Sequence, residues 1–522
     1  AQDGITLTRG GNAVSGTVNL ANSGTGGIAY TGSGNMLIGS IDATGQTVTL
    51  SVGGDISQTT GIEAALLNLI ATGDVTLTHS AGNLIGALGT VDVRRLTLAT
   101  AGNLDLAGAI TANDALSLTV NGAISQSGGL VTTPSLMLAA IFGIDMGSIN
   151  QVDALTAISN GGTGGIRFVN GRSLAVDNLS ADGDLSLRVT AGQLTLNGTI
   201  FSRGNMEIDA AGSIGGLAGI DSRASLRMTS GGSIDLRSVT GRDDIRIDAA
   251  GDAKIAELLH LSGTVDADGN GYLVDILGNN VTLGAGDRAS ITSANRFYDE
   301  VGATVRLGAR AGNVTLNLAT MNHGVSLAAT GDVRAYADDN LNLVNVSGTN
   351  VSLSAGTGGI GADRVDVAGD YMLDGRAFVR NVLQPLGVRA GTWTLTSSSD
   401  LNALGLTLEY GGSIDFTING TLSNGSVRSL AGAVGITAGI VDLSQVGAAT
   451  GIDVTANAGD IDLFSADTVA GNLDLTGGAV RVSGSLEAGA DIGVLATTGD
   501  ASVGYATAGR NITLAAQGDA TL

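Results

Sequence analysis

The chain has 522 residues, of which 83 are glycine, two are proline and none is cysteine. Its formal charge of −23 argues against nucleic acid or anionic lipid as a partner, because phosphate recognition depends on clustered lysine and arginine. A hydrophobic fraction of 43% excludes a disordered chain, and an aromatic fraction of 3% argues against an ordinary wide core. Composition therefore favours a narrow aliphatic core that is repeated many times.

The two ends of the sequence carry strand-like residues. Residues 1–10 contain neither the basic nor the apolar segment of a signal peptide. Solenoids usually protect their ends with atypical capping units, and neither residues 5–7 nor residues 520–522 resemble one. No apolar run approaches the roughly 18 residues that cross a bilayer. We therefore expect a fragment of a longer chain with no membrane-inserted part.

A short repeat runs along the chain. It consists of a glycine, then aspartate or asparagine, then an apolar–polar–apolar triplet. The triplet has the period of two that is typical of a strand with one buried face. We assign the glycine and its polar neighbour to a turn with positive φ. In chain order, copies begin at Gly73, Gly102, Gly183, Gly312, Gly459 and Gly471.

The spacing of equivalent residues predicts the architecture. Several short strands that recur about every 20 residues are typical of a β-helix, with one coil per repeat. We predict an all-β fold, a right-handed parallel β-helix with about 20 residues per coil, that forms one elongated domain over 1–522. The ladders with this spacing are Gly192, Gly212, Gly232 and Gly251; Leu185, Met206, Leu226 and Ile245; Leu473, Ile492 and Ile512; and Ile461, Val480, Ala501 and Ala520.

Polar residues also repeat at the coil spacing. Asp55 and Asp74 are 19 residues apart, and two stacked carboxylates would repel each other by about 1 kcal/mol in a water-like dielectric. That repulsion permits a bridging cation without requiring one. Asn83 and Asn103 are 20 residues apart, which predicts a hydrogen-bonded amide ladder.

Residues 266–275, DADGNGYLVD, resemble a calcium-binding loop of the EF-hand or dockerin type. Aspartate and asparagine take the first, third and fifth ligand positions. Position twelve is Leu277 rather than glutamate, so the loop would have to close differently. A polar loop leaving the solenoid is the alternative, and calcium is the one cofactor that the sequence suggests. The candidate ligands are Asp266, Asp268, Asn270, Tyr272 and Asp275.

Two segments interrupt the repeat, at 288–310 and 371–393, and both concentrate the aromatic residues and arginines that the coils avoid. We predict that they are excursions from the coil pattern. Excursions often carry recognition, and Trp, Tyr and Arg dominate binding hot spots. A loop packed back over a seam of the solenoid is the alternative. The candidate binding residues are Phe297, Tyr298, Arg376, Phe378, Arg380 and Trp393.

Residues that could support catalysis are scattered. His79, His260 and His323 have no serine motif around them, and aspartate pairs such as Asp243 and Asp244 are too common to be informative. Aromatic residues that could hold sugar rings are few. We predict that the chain is not an enzyme, and a carbohydrate-active β-helix enzyme is the alternative.

The repeats AGNLDL, TGDVTL and AGDIDL, with their spacing, their polar exterior and the lack of cysteine, resemble the repeat region of filamentous haemagglutinin-like exoproteins of two-partner secretion. The resemblance covers nearly the whole chain, although the family's N-terminal secretion domain is not visible. It implies export through an outer-membrane transporter, folding at the cell surface, and a role in attachment, aggregation or biofilm formation.

On this basis we expect an extracellular bacterial surface adhesin. Its expected partners are host or neighbouring-cell surfaces, glycans, or further copies of the same chain. A passive stalk that presents a tip or toxin located elsewhere is the alternative.

Overall fold

The structure is a computed structural model in which every regular element is a β-strand within the residues described. Those residues contain no helix that is long and apolar enough to cross a membrane. The chain divides into two compact units, Ala1–Ile255 and Ala256–Leu522. The described residues are 1–79, 81–159, 164–260, 273–278, 281–283, 289–291, 304–309, 314–321, 325–329, 332–337, 341–367, 371–379, 392–397, 400–402 and 407–522.

The strands are short and follow one another closely along the chain. Strands β1 to β24, in chain order, are Ile5–Leu7, Thr17–Ala21, Ile28–Gly32, Met36–Val52, Ile56–Gln58, Ile62–Ala71, Asp74–Leu77, Leu84–Thr100, Leu104–Leu106, Ile110–Val120, Ile124–Ser125, Val131–Ala140, Ile144–Ser159, Ile166–Asn170, Leu174–Ala181, Leu185–Val189, Leu194–Leu196, Ile200–Ser202, Met206–Ala210, Ile214–Ser222, Leu226–Ser230, Ile234–Gly241, Ile245–Ala249 and Ala253–His260.

Strands β25 to β48 continue the same pattern. In chain order they are Leu273–Gly278, Val281–Leu283, Ala289–Ile291, Thr304–Ala309, Val314–Met321, Val325–Ala329, Val333–Ala337, Leu341–Gly348, Val351–Val367, Tyr371–Val379, Thr392–Ser397, Leu401–Asn402, Thr407–Tyr410, Ser413–Ser423, Ser426–Ser429, Ala433–Ala448, Gly451–Ala456, Ile461–Thr468, Leu473–Gly477, Val480–Ala488, Ile492–Ala496, Ala501–Ala508, Ile512–Ala516 and Ala520–Thr521.

In the first unit, the apolar residues of the repeat form a column in the core. Leu185 pairs in parallel with Met206, Met206 with Leu226, and Leu226 with Ile245. Each of these four side chains is at most 1% exposed, and full burial of such a side chain contributes about 1.5–3 kcal/mol. The polar residue that follows each of them faces outward, because successive side chains of a strand point to opposite faces.

The second unit repeats this arrangement in its last coils. Leu473 pairs in parallel with Ile492, and Ile492 with Ile512. Ile461 pairs with Val480 in the adjacent ladder. The predicted fold class is therefore confirmed as an all-β parallel β-solenoid, with stacked coils about 20 residues apart.

The turn before strand β7 has a different cause from the one that the sequence suggested. The Asp55 carboxylate Oδ1 accepts a hydrogen bond from the backbone N–H of Asp74 in the next coil, at 2.8 Å. The same oxygen lies 2.0 Å from the position that a Cβ on residue 73 would occupy. Gly73 does not have a left-handed φ, so the prediction of a positive-φ turn is wrong there. Glycine is required at this position because the oxygen of the preceding coil fills the space of a side chain.

The same hydrogen bond recurs through both units. In each case a side-chain oxygen in one coil accepts a hydrogen bond from the backbone N–H at the start of a strand in the next coil. We call the residue that carries this oxygen a turn-cap residue. Each bond satisfies a backbone donor and fixes the register of two coils. The turn-cap residues are Asn35, Asp55, Asn103, Ser173, Asp184, Ser213, Ser233, Ser413, Asp460, Asn472, Asp491 and Asp500.

The predicted amide ladder between Asn83 and Asn103 is wrong. Asn103 is a turn-cap residue whose Oδ1 accepts from the N–H of Ala123 at 2.9 Å. Asn83 instead lies in the core, fully buried, with its Oδ1 accepting from the N–H of Ile62 at 3.0 Å. A sequence separation equal to one coil therefore did not place the two side chains in the same column.

A second buried asparagine, Asn150, has an equivalent environment. Its Oδ1 accepts from the N–H of Val131 at 2.9 Å and from Nε2 of Gln126 at 2.8 Å. Its Nδ2 donates to the carbonyl oxygens of Ser148 and Val169 and to Oε1 of Gln126, at 2.9 to 3.2 Å. The amides of Gln126 and Asn150 thus bond to each other in both directions. A buried amide is tolerated in an aliphatic core only with such complete pairing.

Candidate functional site

The predicted calcium loop falls mostly on residues that the structure does not describe. Asp266, Asp268, Asn270 and Tyr272 lie outside the described residues. The backbone of Asp275 belongs to strand β25, where it pairs in parallel with Arg306 of β28. Calcium binding at this segment therefore stays a prediction.

The predicted aromatic and arginine site is described only in part. Phe297, Tyr298 and Arg380 lie outside the described residues. The backbones of Arg376 and Phe378 lie in β34, which pairs with β33, and Trp393 pairs with Ile414 between β35 and β38. The described parts of 371–393 therefore belong to strands of the ladder. A binding role for these side chains stays a prediction.

The outward surface of the first unit carries ion pairs between neighbouring coils. Arg167 bonds to Asp145 at 3.2 Å, and these two residues are also register partners. Arg188 and Asp209 repeat the arrangement at 3.3 Å. Exposed pairs of this kind contribute less than about 1 kcal/mol each. Their main effect is to distribute both signs of charge over the surface of the coils.

Two open grooves follow the turn-cap residues of the first unit. One has a volume of about 640 Å³ and runs past Asn35, Asp55 and Asp74. The other, of about 400 Å³, runs past Asp184 and Asn205 towards further turn positions. Both are lined by turn positions and by residues of the strands that follow, among them the apolar Met36 and Ile56 in the first groove and Leu185 and Met206 in the second. The lining of each groove combines polar and apolar groups from several coils.

The second unit presents two adjacent columns on one outward face. A threonine column runs through register-paired residues of β35, β38, β40, β41 and β43. Beside it, Asp415, Gly435, Asp453 and Asp474 form a partly acidic column. The threonines of the column are Thr396, Thr417, Thr437, Thr455 and Thr476.

One carboxyl in the acidic column has a shifted pKa. Desolvation by the surrounding chain, followed by repulsion from the carboxylates of Asp453 and Asp491, raises the pKa of Asp474 above its ordinary value. The folded protein therefore binds more protons than the unfolded chain between the ordinary and the raised pKa. The contribution of Asp474 to the free energy of unfolding therefore falls as the pH rises through that interval.

We expect Asp474→Asn to raise the unfolding midpoint at pH 7, because the variant loses an unfavourable charge. The carboxylate is exposed, so screening limits the gain to a few tenths of a kcal/mol. The gain should disappear below the ordinary aspartate pKa, where the carboxyl is protonated in both states. Thermal melts at several pH values measure this. Asp462→Asn is the control, because Asp462 pairs with Arg481 at 3.2 Å and its loss should not stabilise.

Within the described residues, three aromatic side chains are more than half exposed. Phe142 in the first unit is 61% exposed, and Phe464 and Tyr505 in the second unit are 63% and 60% exposed. All three lie inside the regular coils, away from the segments in which the sequence predicted binding aromatics. The described residues also contain no group of three or more His, Asp or Glu side chains arranged to hold a metal ion.

Comparison of the chain with protein-family models, with curated proteins and with solved structures found no match. The resemblance to filamentous haemagglutinin-like repeats therefore stays an expectation drawn from the sequence. Function is inferred from the fold and from the outward surface of the coils.

Proposed function

We propose that the chain is part of an extracellular bacterial surface fibre, an adhesin that mediates attachment, aggregation or biofilm formation. The observation that supports this most is the repetition of outward polar positions from coil to coil. A parallel solenoid presents the same kind of side chain every ~4.8 Å, which suits many weak contacts with a large surface better than one tight contact with a small molecule.

The charge of the chain is consistent with a role outside the cell. An excess of acidic residues keeps a long repeat protein soluble and reduces unspecific binding to nucleic acid. The absence of cysteine leaves stability to coil stacking, in which each coil is supported by its neighbours. We propose host or neighbouring-cell surfaces, glycans and further copies of the chain as partners, and export through an outer-membrane transporter.

A cell-retention experiment tests this proposal. Beads coated with the purified chain should retain bacterial or epithelial cells in proportion to coating density, because weak contacts add through multivalency. Soluble chain in excess should release the cells. Retention no greater than on albumin-coated beads would contradict adhesion and favour the passive stalk. Release of reducing sugar from polysaccharides would instead favour the carbohydrate-active enzyme.

A further inference from the structure

Two exposed aromatic side chains lie at the same corner of the second unit. Phe464 lies between two inward positions of β42, Leu463 and Ala466. Tyr505 lies just after Val503 in β46, where the chain turns the corresponding corner. They are two coils apart, a separation of about 10 Å along the stack. Both rings are at least 60% exposed, and an exposed apolar patch on a soluble protein often marks a ligand or partner site.

Glycines line the surface between the two rings. The ring carbons Cε1 and Cζ of Phe464 lie 3.3 Å from the position of a Cβ on Gly484, so the ring extends from its own coil over the next one. A Cβ on Gly504 would in turn lie 2.9 Å from the carbonyl oxygen of Gly484. Tyr505 follows Gly504 directly. In the column of Phe464 the next two coils therefore carry glycine, and Tyr505 lies one residue further along its strand, in the column of Ser485.

Polar side chains lie in the strands that contain or adjoin the two aromatic residues. Ser485 is the register partner of Tyr505 and is partly exposed. Glu487 is exposed in the same strand, β44. The Arg481 guanidinium bonds to the Asp462 carboxylate at 3.2 Å in the strands just before the corner. A hydroxyl beside an aromatic ring, with charged groups elsewhere in the same coils, suits a ligand that has both an apolar face and hydroxyl groups.

Charge determines which kind of ligand can approach. Between residues 407 and 522 the sequence has twelve acidic residues against three arginines. This excess repels polymers that carry carboxylate or sulfate groups. A neutral sugar chain is not repelled, and sugar rings with equatorial hydroxyls present apolar C–H faces to an aromatic ring.

We propose that Phe464 and Tyr505 form a stacking platform for an extended neutral oligosaccharide that lies along the coil stack. The two coils that separate the residues span about 10 Å, which is comparable to the length of a disaccharide. Each ring contacts one sugar face, while the flanking groups bond to its hydroxyls. This assignment rests on the proposed attachment function and locates one ligand contact of the adhesin.

The test uses the full chain with cellohexaose and chitohexaose as neutral probes and an oligogalacturonate as the anionic probe. Titration calorimetry, supported by saturation-transfer NMR, should detect a neutral probe and not the anionic one. Phe464→Ala and Tyr505→Ala should each weaken binding about threefold to tenfold, the range expected for one aromatic contact. Phe464→Trp keeps a ring and should keep binding. Phe142→Ala is the matched control, because it removes an equally exposed ring elsewhere and should change nothing.

Two results would overturn the platform. One is neutral-probe binding that is absent, or unchanged in the double alanine variant while circular dichroism and the melting midpoint stay those of the parent. The other is anionic-probe binding at least as strong as neutral-probe binding. Cell retention on coated beads separates this failure from that of the proposed function. When the neutral probes fail this test, cell retention by both the parent and the double variant would still support adhesion and would contradict only the platform.

Discussion

Asn150→Ala is expected to destabilise the first unit by about 3–5 kcal/mol, because it leaves several buried groups without partners. The buried N–H of Val131, the carbonyl of Val169 and the half-buried amide of Gln126 all lose a hydrogen bond. Urea denaturation followed by circular dichroism should show a lower urea midpoint for the unfolding of the first unit. Hydrogen exchange should accelerate most in strands β11 to β14, because coils in a solenoid depend chiefly on their neighbours.

A matched exposed asparagine provides the control. Asn457→Ala removes the same atoms from an exposed position and should change stability by less than about 0.5 kcal/mol. The loss of stability from Gln126→Ala should lie between those of the two asparagine variants. The double variant of Gln126→Ala and Asn150→Ala should lose less stability than the sum of its two single variants, because the two amides bond to each other. Equal effects of Asn150→Ala and Asn457→Ala would contradict the buried amide pair as a source of stability.

The spacing of apolar residues was sufficient to predict the solenoid. Leu185, Met206 and Leu226 are register partners because each coil must place an aliphatic side chain at the same inward position. Buried Asn150 could not be predicted in this way. Its partners come from residues as far as 24 positions away, and an isolated asparagine in the sequence is typical of an outward or turn position.

The aromatic platform was missed for a related reason. Phe464 stands alone among small and polar residues, and the period-two pattern of a strand does not define which way a corner residue points. In addition, β44 has one more residue at this corner than β46, between Val482 and Ser485. The column that joins Phe464 to Gly484 therefore becomes visible only when the coils are stacked. Aromatic enrichment drew the prediction to 288–310 and 371–393 instead.

Gly73→Ala is expected to destabilise the first unit by about 2–3 kcal/mol, because the new methyl group overlaps the Asp55 Oδ1. That oxygen would have to leave, and its hydrogen bond to the N–H of Asp74 would be lost. Gly102 occupies the same place in the repeat, but no heavy atom lies within 4 Å of its Cβ position. Gly102→Ala should therefore leave the urea midpoint unchanged or raise stability by up to about 1 kcal/mol, because alanine restricts the unfolded chain.

A double variant separates the overlap from the conformational effect of alanine. Asp55→Ala alone should cost about 0.5–1.5 kcal/mol for one hydrogen bond. Combined with Gly73→Ala, it removes the overlapping oxygen, so the double variant should cost at least about 1 kcal/mol less than the sum of the two. The relief is incomplete, since the backbone nitrogen of Asp55 also lies 2.9 Å from the new Cβ. Strictly additive losses of stability would mean that glycine is required at residue 73 for its backbone conformation. Overlap with the turn-cap oxygen of Asp55 would then not be the reason.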